Sequence, residues 1–551
     1  MQSNATSPHQ SPSVWLGAAL GALSALALIG LLYLGAELFN FPFIPFDIFD
    51  WMARILPGGL IALVTRTMAS GIAFLQGFLP IGDTSTVAKT AEQVIALIQL
   101  ISGGAIFGLV LAWLARSPSR DLIRAGIIGG LLLLAATLLI ISSLQSVQLG
   151  LLDALWLLAL FLLWGWGLAW LVLQAAPALA DAPEAALYRR QFITVGGAGL
   201  AAVALGSWGL ARLFGDDMPE VAGSAAPPVS GDDPFGAALT SGPAASPSPE
   251  EIAARPAAVN GTRPELTANE DFYRIDINTR SPEINGSSWR LRVNGLVDRP
   301  LELSLEEIRA MPSQTQILTM QCISNTVGGD LTSASRWTGV LFKDLLDEAG
   351  LQSNAAGALI ESVDGFFEFV VIEDILDERT MLVYAMNDEP LPIDHGFPLR
   401  IYIPNRYGMK QPKWIESIEL VEERVDGYWV VRGWSKEAHP QTVSVVDTVV
   451  VDPDQGDNGM AMAGGIAWAG GRGIGRVEVQ VDEAGWQDAE LINPPLSELN
   501  WVLWRYTWPY ESGRHVLQVR AYDGAGELQA SDRRPPRPNG ATGIHSVDVT
   551  L

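Results

Sequence analysis

The chain of 551 residues contains a single cysteine, Cys322, in the run Thr319-Met320-Gln321-Cys322-Ile323-Ser324-Asn325. A lone thiol forms no disulfide within its own chain, so it serves packing, reactivity or metal ligation. Free cysteine is more often a small buried apolar side chain than a ligand, and without further motifs that interpretation is the better one. As a ligand, its soft and charged thiolate suits a metal that is already bound by sulfur.

Three further strings follow Cys322 and, taken together with it, carry a resemblance. After Gln321-Cys322-Ile323-Ser324-Asn325 come Arg336-Trp337-Thr338-Gly339-Val340, His395-Gly396-Phe397-Pro398-Leu399-Arg400 and Lys413-Trp414-Ile415. In this order they resemble the molybdopterin-binding domain of the sulfite oxidase family. A later set of residues is similar to that family's immunoglobulin-like dimerisation domain: 475–481, Trp486, Trp504, 519–521 and 523–524. Together the two resemblances cover about 264–551.

The resemblance implies one molybdenum atom held by a pterin dithiolene, oxo groups and a protein thiolate, which it assigns to Cys322. It places His395, Arg400 and Lys413, with Gln411 beside them, at the anionic phosphate and polar pterin of the cofactor. Arginine offers a fork of donors to a phosphate and lysine a point charge. The alternative is that these residues are solvated strand ends and a turn. The resemblance also assigns cofactor binding to Phe272, Tyr273, Arg274, Asn325 and Asp364.

Two departures from the family pattern bear on the substrate. The sulfite-oxidising members carry an arginine five residues after the metal cysteine, where this chain has Val327, and an active-site tyrosine where it has Val431. Sulfite is an oxyanion, so the loss of a cationic contact weakens its binding. Arg274, Arg336 and Tyr428 are candidates for catalytic roles, although none occupies a matched position.

The histidines limit how electrons leave the site. The chain has five, namely His9, His395, His439, His515 and His545, and none lies in a predicted membrane span. One cysteine cannot form a Cys-x-x-Cys-His haem motif. No haem is therefore expected in this chain, and a separate carrier such as a cytochrome or a membrane redox protein exchanges the electrons.

The residues of the motifs all follow a long apolar region. Nearly half of the chain is hydrophobic (49%), which is unusual for a soluble protein. Six stretches are each about 20 residues long, enough to cross a bilayer as a helix. They are 14–34, 56–78, 95–114, 122–141, 151–173 and 192–214. Five spans are the alternative, because Arg66 lies inside the second stretch.

Basic loop residues predict the orientation of these spans. Short loops rich in Arg and Lys stay on the cytoplasmic side, and the relevant residues are Arg116, Arg120, Arg124, Arg189 and Arg190. The part of the chain after residue 214 is then extracytoplasmic. The segment Tyr188-Arg189-Arg190-Gln191-Phe192-Ile193-Thr194 resembles an internal twin-arginine export signal, with a simple cytoplasmic anchor as the alternative.

These patterns predict an α-helical membrane region over 1–214, a flexible linker over 215–263, an α+β molybdopterin domain over 264–440 and an all-β immunoglobulin-like sandwich over 441–551. The linker is rich in Ala, Pro, Ser and Gly. Ser304 and Glu307 have the spacing of a capping box and predict a short helix over 304–309.

The formal net charge of −25 disfavours nucleic-acid binding. We predict a membrane-anchored, extracytoplasmic molybdenum-cofactor oxidoreductase that transfers an oxygen atom to or from a small oxyanion or oxide substrate. A sulfoxide or N-oxide reductase of the same family is the enzymatic alternative. A catalytically inactive, membrane-anchored binding scaffold is the alternative of another class. The expected partners are the electron carrier, membrane lipid and a second copy of the chain.

Overall fold

The computed structural model describes residues 14–39, 41–56, 84–117, 121–144, 149–175, 196–210, 255–451 and 459–551. Their contacts divide the chain into two compact units. The first contains the described residues before 211, apart from 84–86, together with Ile277–Arg280. The second contains residues 84–86, 255–276 and Ser281–Leu551. The predicted twin-arginine segment lies outside the described residues, as does the second predicted span apart from residue 56.

The described part of the first unit is helical. Its helices are α1 (Val14–Phe39), α2 (Ile44–Ile55), α3 (Thr84–Leu114), α4 (Leu122–Ser143), α5 (Leu151–Ala175) and α6 (Gly196–Leu210). Within these described residues, α1, α3, α4 and α5 are long and apolar enough to cross a membrane. Each contains one of the predicted spans. Helix α6 lies within the sixth predicted span but is shorter than the other four.

Close helix contacts in this unit depend on glycine. A side-chain carbon at Gly21 of α1 would collide with the backbone of Gly104 in α3. A side-chain carbon at Gly126 of α4 would collide with the backbone of Gly165 in α5. Small residues of this kind let apolar helices approach closely enough to gain dispersion energy, which is the main attraction available between helices in lipid.

Helix α2 has no counterpart among the predicted spans and carries a polar cluster. The buried carboxylate of Asp50 accepts hydrogen bonds from the backbone N and Oγ1 of Thr279, at 2.9 and 2.6 Å. Lys89 Nζ donates to the backbone oxygen of Asn278 over 2.9 Å. These bonds explain why Ile277–Arg280 belong to the first unit. A mixed polar and apolar helix of 12 residues escapes a search for uniform apolar stretches.

The α+β part of the second unit contains two sheets. One has the order β2-β1-β10-β5-β6, with β1 and β10 parallel and the other neighbours antiparallel. Its strands are β1 (Arg290–Gly295), β2 (Leu301–Ser304), β5 (Gly357–Ser362), β6 (Phe367–Val371) and β10 (Ile415–Val421). The second sheet has the order β3-β4-β7-β8, with β9 paired to β7. Its strands are β3 (Ser313–Gln321), β4 (Thr332–Leu341), β7 (Met381–Met386), β8 (Glu389–Pro390) and β9 (Arg400–Tyr402).

Three short helices connect these strands, α7 (Leu305–Ala310), α8 (Phe342–Ala349) and α9 (Ile372–Ile375). The capping box predicted for α7 is confirmed, because Ser304 Oγ accepts from the backbone N of Glu307 and the Glu307 carboxylate accepts from the backbone N of Ser304. A single apolar core lies between the two sheets and includes residues of β1, β3, β4, β5, β7 and β10. The α+β architecture predicted from the sequence is confirmed.

Two four-stranded antiparallel sheets form the C-terminal part. The first is β11 (Val443–Val451), β12 (Met460–Trp468), β16 (Val502–Pro509) and β15 (Glu490–Ile492), in spatial order. The second is β14 (Gln487–Asp488), β13 (Ile474–Val481), β17 (Arg514–Asp523) and β18 (His545–Thr550). Both sheets contribute to one apolar cluster around the fully buried Trp504. The pattern of alternating strands therefore predicted a sandwich correctly, while its immunoglobulin-like topology stays a prediction.

Candidate cofactor site

Cys322 lies directly after strand β3 and begins a loop that returns to β4 at Thr332. The backbone N of Cys322 donates to Leu331 O over 2.9 Å, and Asn325 N donates to Cys322 O over 3.0 Å. The side chain of Asn325 closes the loop by accepting from Leu331 N over 3.1 Å. The thiol is 7% exposed and lies 3.0 Å from Ser324 Oγ. Burial raises the pKa of the thiol above its usual value, so a cation must be supplied for the thiolate to form here.

The buried guanidinium of Arg400, at the start of β9, lies beside β3. Its Nη1 donates to His395 O over 3.0 Å, and its Nη2 lies 3.2 Å from Met320 Sδ. The group stacks 4.9 Å from the ring centroid of Trp337. Its Nε has no hydrogen-bond partner, and no carboxylate among the described residues forms an ion pair with it. Burial lowers the pKa of Arg400 to about 10. An unpaired buried cation is costly unless an anion binds beside it.

His395 is a buried, neutral side chain next to this cation. Its Nε2 lies 2.9 Å from the backbone oxygen of Asn269, which can only accept, so Nε2 carries the proton. Burial, with Lys413 and Arg400 as further causes, lowers the pKa of His395 to about 4. Phe272 packs against the imidazole, with 5.3 Å between ring centroids. The imidazole therefore presents its Nδ1 as an acceptor.

Lys413 precedes β10 and forms an ion pair with the fully buried carboxylate of Asp276. Its Nζ also donates to Asp394 O over 2.9 Å. Arg274 Nε donates to Asp276 over 2.5 Å, so one carboxylate serves two cations. Burial is the main cause that lowers the pKa of Lys413 to about 8, and Arg400 and Arg274 add to it. The positive charges of Lys413, Arg400 and Arg274 repel one another, and this repulsion favours the binding of a further anion between them.

Several buried polar atoms near these residues have no hydrogen-bond partner within the described part of the chain. They are Gln321 Oε1, Thr332 Oγ1, Ser362 Oγ, Arg400 Nε and Gln411 Oε1. Buried polar groups are normally satisfied, and a group of exceptions indicates a missing polar ligand. The molybdenum cofactor has a polar pterin and an anionic phosphate. A sole thiol, a buried arginine without an ion pair and buried acceptors without hydrogen-bond partners form a donor set that fits it.

The structure brings most of the predicted cofactor residues together. Tyr273 stacks on Phe272 at 5.4 Å, and its backbone N donates to Ser333 Oγ over 3.2 Å. The Cys322 and Arg400 side chains both act electrostatically on the Tyr273 hydroxyl, whose pKa is raised well above its usual value, mainly by burial.

Two predicted cofactor residues approach from the other sheet and from the connection between β9 and β10. Asp364 lies in the turn between β5 and β6, where Val363 N donates to Trp414 O over 2.9 Å. Gln411 Nε2 donates to Arg406 O over 3.0 Å. The turn that carries Asp364 therefore contacts Trp414, the residue that follows Lys413. Gln411 is held within the connection between β9 and β10. The assignment of these side chains to the cofactor stays a prediction.

Arg336 does not join this group. It is adjacent to Trp337 on β4, and consecutive side chains of a strand point to opposite faces, so it faces away from Arg400. Arg336 forms an ion pair with Asp388 over 2.9 Å and lines an open cleft of about 300 Å³. Tyr428 is buried beside Phe366, at 5.6 Å between ring centroids. The guanidinium of Arg432 lies 3.6 Å from the centroid of the Tyr428 ring.

Three residues of this region are absent from the sequence-based set: Asn269, Asp276 and Arg432. Asn269 binds His395 through its backbone oxygen, so no side-chain pattern predicts it. Asp276 lies two residues after Arg274 in an apolar context, and this spacing of opposite charges was the sequence signal that could have predicted their ion pair. Arg432 lies four residues after Tyr428 and adds a positive charge next to Val431, where this chain lacks the tyrosine of the family pattern.

The low pKa of Lys413 leads to a pH prediction. Below about 8 the amine is charged and attracts an anionic phosphate, whereas above it the cofactor-free protein loses that charge. Cofactor affinity should fall as the pH rises, by up to about tenfold per unit above that value if binding requires the proton. Molybdenum retained by the full-length protein after reconstitution and gel filtration between pH 6.5 and 9.5 measures it. In Lys413→Arg the charge persists, so a fall identical to that of the wild type would contradict this role.

Comparison with known proteins agrees with this geometry. Residues 278–429 match the family described as oxidoreductase molybdopterin binding domain. Over 154 residues the chain is 32% identical to the uncharacterized oxidoreductase YuiH of Bacillus subtilis (strain 168), covering 28% of this chain and 76% of that protein. It is 26% identical to the mitochondrial sulfite oxidase of Homo sapiens, over 49% of this chain and 58% of the human protein.

The chain spans little more than half the length of the mitochondrial sulfite oxidases of Homo sapiens and Drosophila melanogaster (58% and 55%). The crystal structure of the sulfane dehydrogenase SoxCD from Paracoccus pantotrophus aligns with a TM-score of 0.46 and 21% identity, covering 54% of this chain and 83% of that one. The matched residues 278–429 include Cys322, His395, Arg400 and Lys413. The chain therefore belongs to the sulfite oxidase family of molybdopterin-dependent oxidoreductases.

Proposed function

We propose that the protein is a membrane-anchored, extracytoplasmic oxidoreductase that uses the molybdenum cofactor to transfer an oxygen atom to or from a small substrate. One observation carries the proposal. The sole thiol of the chain directly follows strand β3, whose Met320 contacts a buried arginine without an ion pair, and both lie within the segment that matches the molybdopterin-binding family. A structural cysteine would require neither an unpaired cation nor unsatisfied polar atoms nearby.

The chain's own residues have separable tasks in this proposal. Cys322 supplies a thiolate ligand, and its fixed loop determines the direction from which the sulfur approaches. Arg400 and Lys413 hold the anionic part of the cofactor, while neutral His395 offers Nδ1 as an acceptor. When bound, the cofactor supplies a two-electron oxygen-atom transfer with water as the oxygen source or product. Burial of these side chains excludes bulk water and strengthens their electrostatic effect.

A second function, the reduction of sulfoxides or N-oxides, is favoured by two departures from the family pattern. Val327 stands where the sulfite-oxidising members carry an arginine, and Val431 where they carry a tyrosine. Val431 is 59% exposed and cannot replace a phenol as a hydrogen-bond donor. Arg274 is engaged by Asp276 and Asp394, so its charge is largely compensated. A neutral oxide substrate requires fewer cations than sulfite does.

The placement at the membrane is supported by the helices and by charge. Four described helices are long and apolar enough to cross a membrane, and basic residues cluster in the loop after α3. In this proposal the twin-arginine-like segment directs the export of the residues after 214, with the cofactor already bound. An electron carrier outside this chain then completes the reaction, and lipid surrounds the apolar helices. Pairing of two chains through the sandwich also belongs to the proposal.

Metal analysis and two assays on purified full-length protein test this function. About one molybdenum atom per chain is expected, because the donor set contains one thiol. Turnover of sulfite with an electron acceptor identifies an oxidase, and turnover of sulfoxides with a reduced dye identifies a reductase. Absence of molybdenum from protein made in cells that mature other molybdenum enzymes would instead support the inactive scaffold.

A further inference from the structure

The tip of the Cys322 loop, residues 326–329, is held from outside by an arginine that precedes the α+β part. Arg263 Nη2 donates to the backbone oxygen of Gly329 over 3.3 Å. The arginine is itself fixed by Asp447 of β11, through Nε at 2.9 Å and through the Arg263 backbone N at 3.1 Å. The Asp447 side chain is largely buried. A side chain held at both ends in this way constrains the loop rather than merely touching it.

A histidine of the sandwich packs on the neighbouring glycine. His545, the first residue of β18, places its ring against Gly328, so a methyl group at residue 328 would collide with Nε2 and Cδ2 of the ring. Gly328 has φ of +80°, a conformation that also favours glycine. The backbone N of Val446 donates to His545 Nδ1 over 3.0 Å, which fixes both the ring plane and its neutral state. Burial and Arg263 lower the pKa of His545, in agreement with a neutral ring.

Hydrogen bonds inside the loop connect this tip to the thiol. Gly329 N donates to Thr326 O over 3.0 Å, and Asn325 accepts from Leu331 N through its side chain. Asn325 N in turn donates to Cys322 O. The loop is therefore a closed network of short links, and a displacement at Gly328 or Gly329 is transmitted to the residue that carries the sulfur.

We propose that Arg263 and His545 form a loop clamp, by which the sandwich and the segment before the α+β part set the position of the Cys322 sulfur. Both are positioning residues, because neither touches the thiol, and both lie outside the family-matched residues 278–429. The inference rests on the proposed role of Cys322 as the metal ligand. It assigns to the C-terminal sandwich a part in the site itself.

The unique cysteine makes the clamp directly measurable. Full-length protein produced without molybdenum has one thiol, so its alkylation by iodoacetamide reports only the Cys322 loop. His545→Ala removes the ring and leaves Val446 N without its acceptor. We expect alkylation of Cys322 to become about tenfold faster, since the loss of one or two such contacts favours local opening by this order. Hydrogen exchange at the amides of Asn325, Gly329 and Leu331 should accelerate in parallel.

Two further variants and one control make the test specific. Arg263→Met should give a similar increase in the alkylation rate. Gly328→Ala should also increase the rate in the wild type, because its methyl group collides with the His545 ring. In the His545→Ala background the ring is absent, so the same substitution should have a smaller effect. His515→Ala removes another sandwich histidine with two hydrogen bonds, to Asp482 and Glu511, and should change alkylation less than twofold.

Two results would overturn the clamp. The first is that both His545→Ala and Arg263→Met keep the wild-type rates of Cys322 alkylation and amide exchange. The second is that His515→Ala accelerates alkylation as much as His545→Ala does. The clamp and the proposed function fail separately. If Cys322→Ser kept its molybdenum while His545→Ala exposed the thiol, the ligand role would be lost and the clamp would stand. If Cys322→Ser lost molybdenum while His545→Ala left the thiol protected, the reverse would hold.

Discussion

Cys322→Ser is expected to lower turnover of the molybdenum-loaded protein by at least about a thousandfold, because loss of a metal's outer partners alone costs about 10–100-fold. A serine hydroxyl is a hard oxygen donor with a far higher pKa than a thiol, so it replaces the soft ligand poorly. The near-equal size of the two side chains limits the effect on the fold to about 1 kcal/mol in the free energy of unfolding. Turnover, molybdenum per chain and thermal melting together measure these effects.

Ser324→Ala is the matched control for this substitution. Ser324 Oγ lies 3.0 Å from the sulfur but is expected to support the thiolate rather than bind the metal. Its removal should reduce activity by about 10–100-fold and leave most of the molybdenum in place. Equal molybdenum content and equal activity in wild type and Cys322→Ser would remove the thiol from the site.

Arg400→Met is expected to change stability and cofactor binding in opposite directions. The guanidinium is 3% exposed, lacks an ion pair among the described residues and stacks on Trp337, where a methionine of similar length fits. Replacing a buried charge that has no ion pair by an apolar group should stabilise the cofactor-free protein, because the desolvation cost of that charge is removed. The same change removes charge-assisted hydrogen bonds to the cofactor, which are worth about 1.5–3 kcal/mol each. Denaturant unfolding and molybdenum retention measure the two effects.

Arg406→Met distinguishes this effect from the loss of any buried arginine. Arg406 is also buried, but Asp374 pairs with it through two hydrogen bonds of 2.7 and 2.9 Å. Removing it leaves the partly buried carboxylate of Asp374 without its arginine, which destabilises the fold by up to about 3 kcal/mol. Its cofactor affinity should change little once the protein is folded. If Arg400→Met behaved like Arg406→Met, Arg400 would be a structural residue and the anion site would lie elsewhere.

The sequence predicted those parts of the fold that depend on periodicity and composition. Uniform apolar stretches predicted α1, α3, α4 and α5, and the spacing of Ser304 and Glu307 predicted the start of α7. Alternating strands with regular turns predicted the sandwich. Helix α2 was missed because its polar residues, among them Asp50, interrupt the apolar pattern, and their partners lie more than two hundred residues away.

The candidate site was predictable only where side-chain types in order carried the information. Cys322, His395, Arg400 and Lys413 belong to such strings, and the structure brings the first three and the Lys413 segment to one region. The direction of Arg336 was not predictable from its string, because the face of a strand follows from what packs on Trp337. The partnership of Lys413 with Asp276 joins residues 137 positions apart and required the folded chain.

Strand β10 lies at the centre of its sheet, between β1 and β5, although it is the last of those strands in the chain. Until Ile415–Val421 have been synthesised, the β1–β2 and β5–β6 hairpins each keep an edge without its partner. Lys413 and Trp414 immediately precede this strand. Pairing of β10 therefore completes the sheet and places Lys413 in the site at the same time. The cofactor can bind only after this strand has joined the sheet, so this topology excludes cofactor loading early in synthesis.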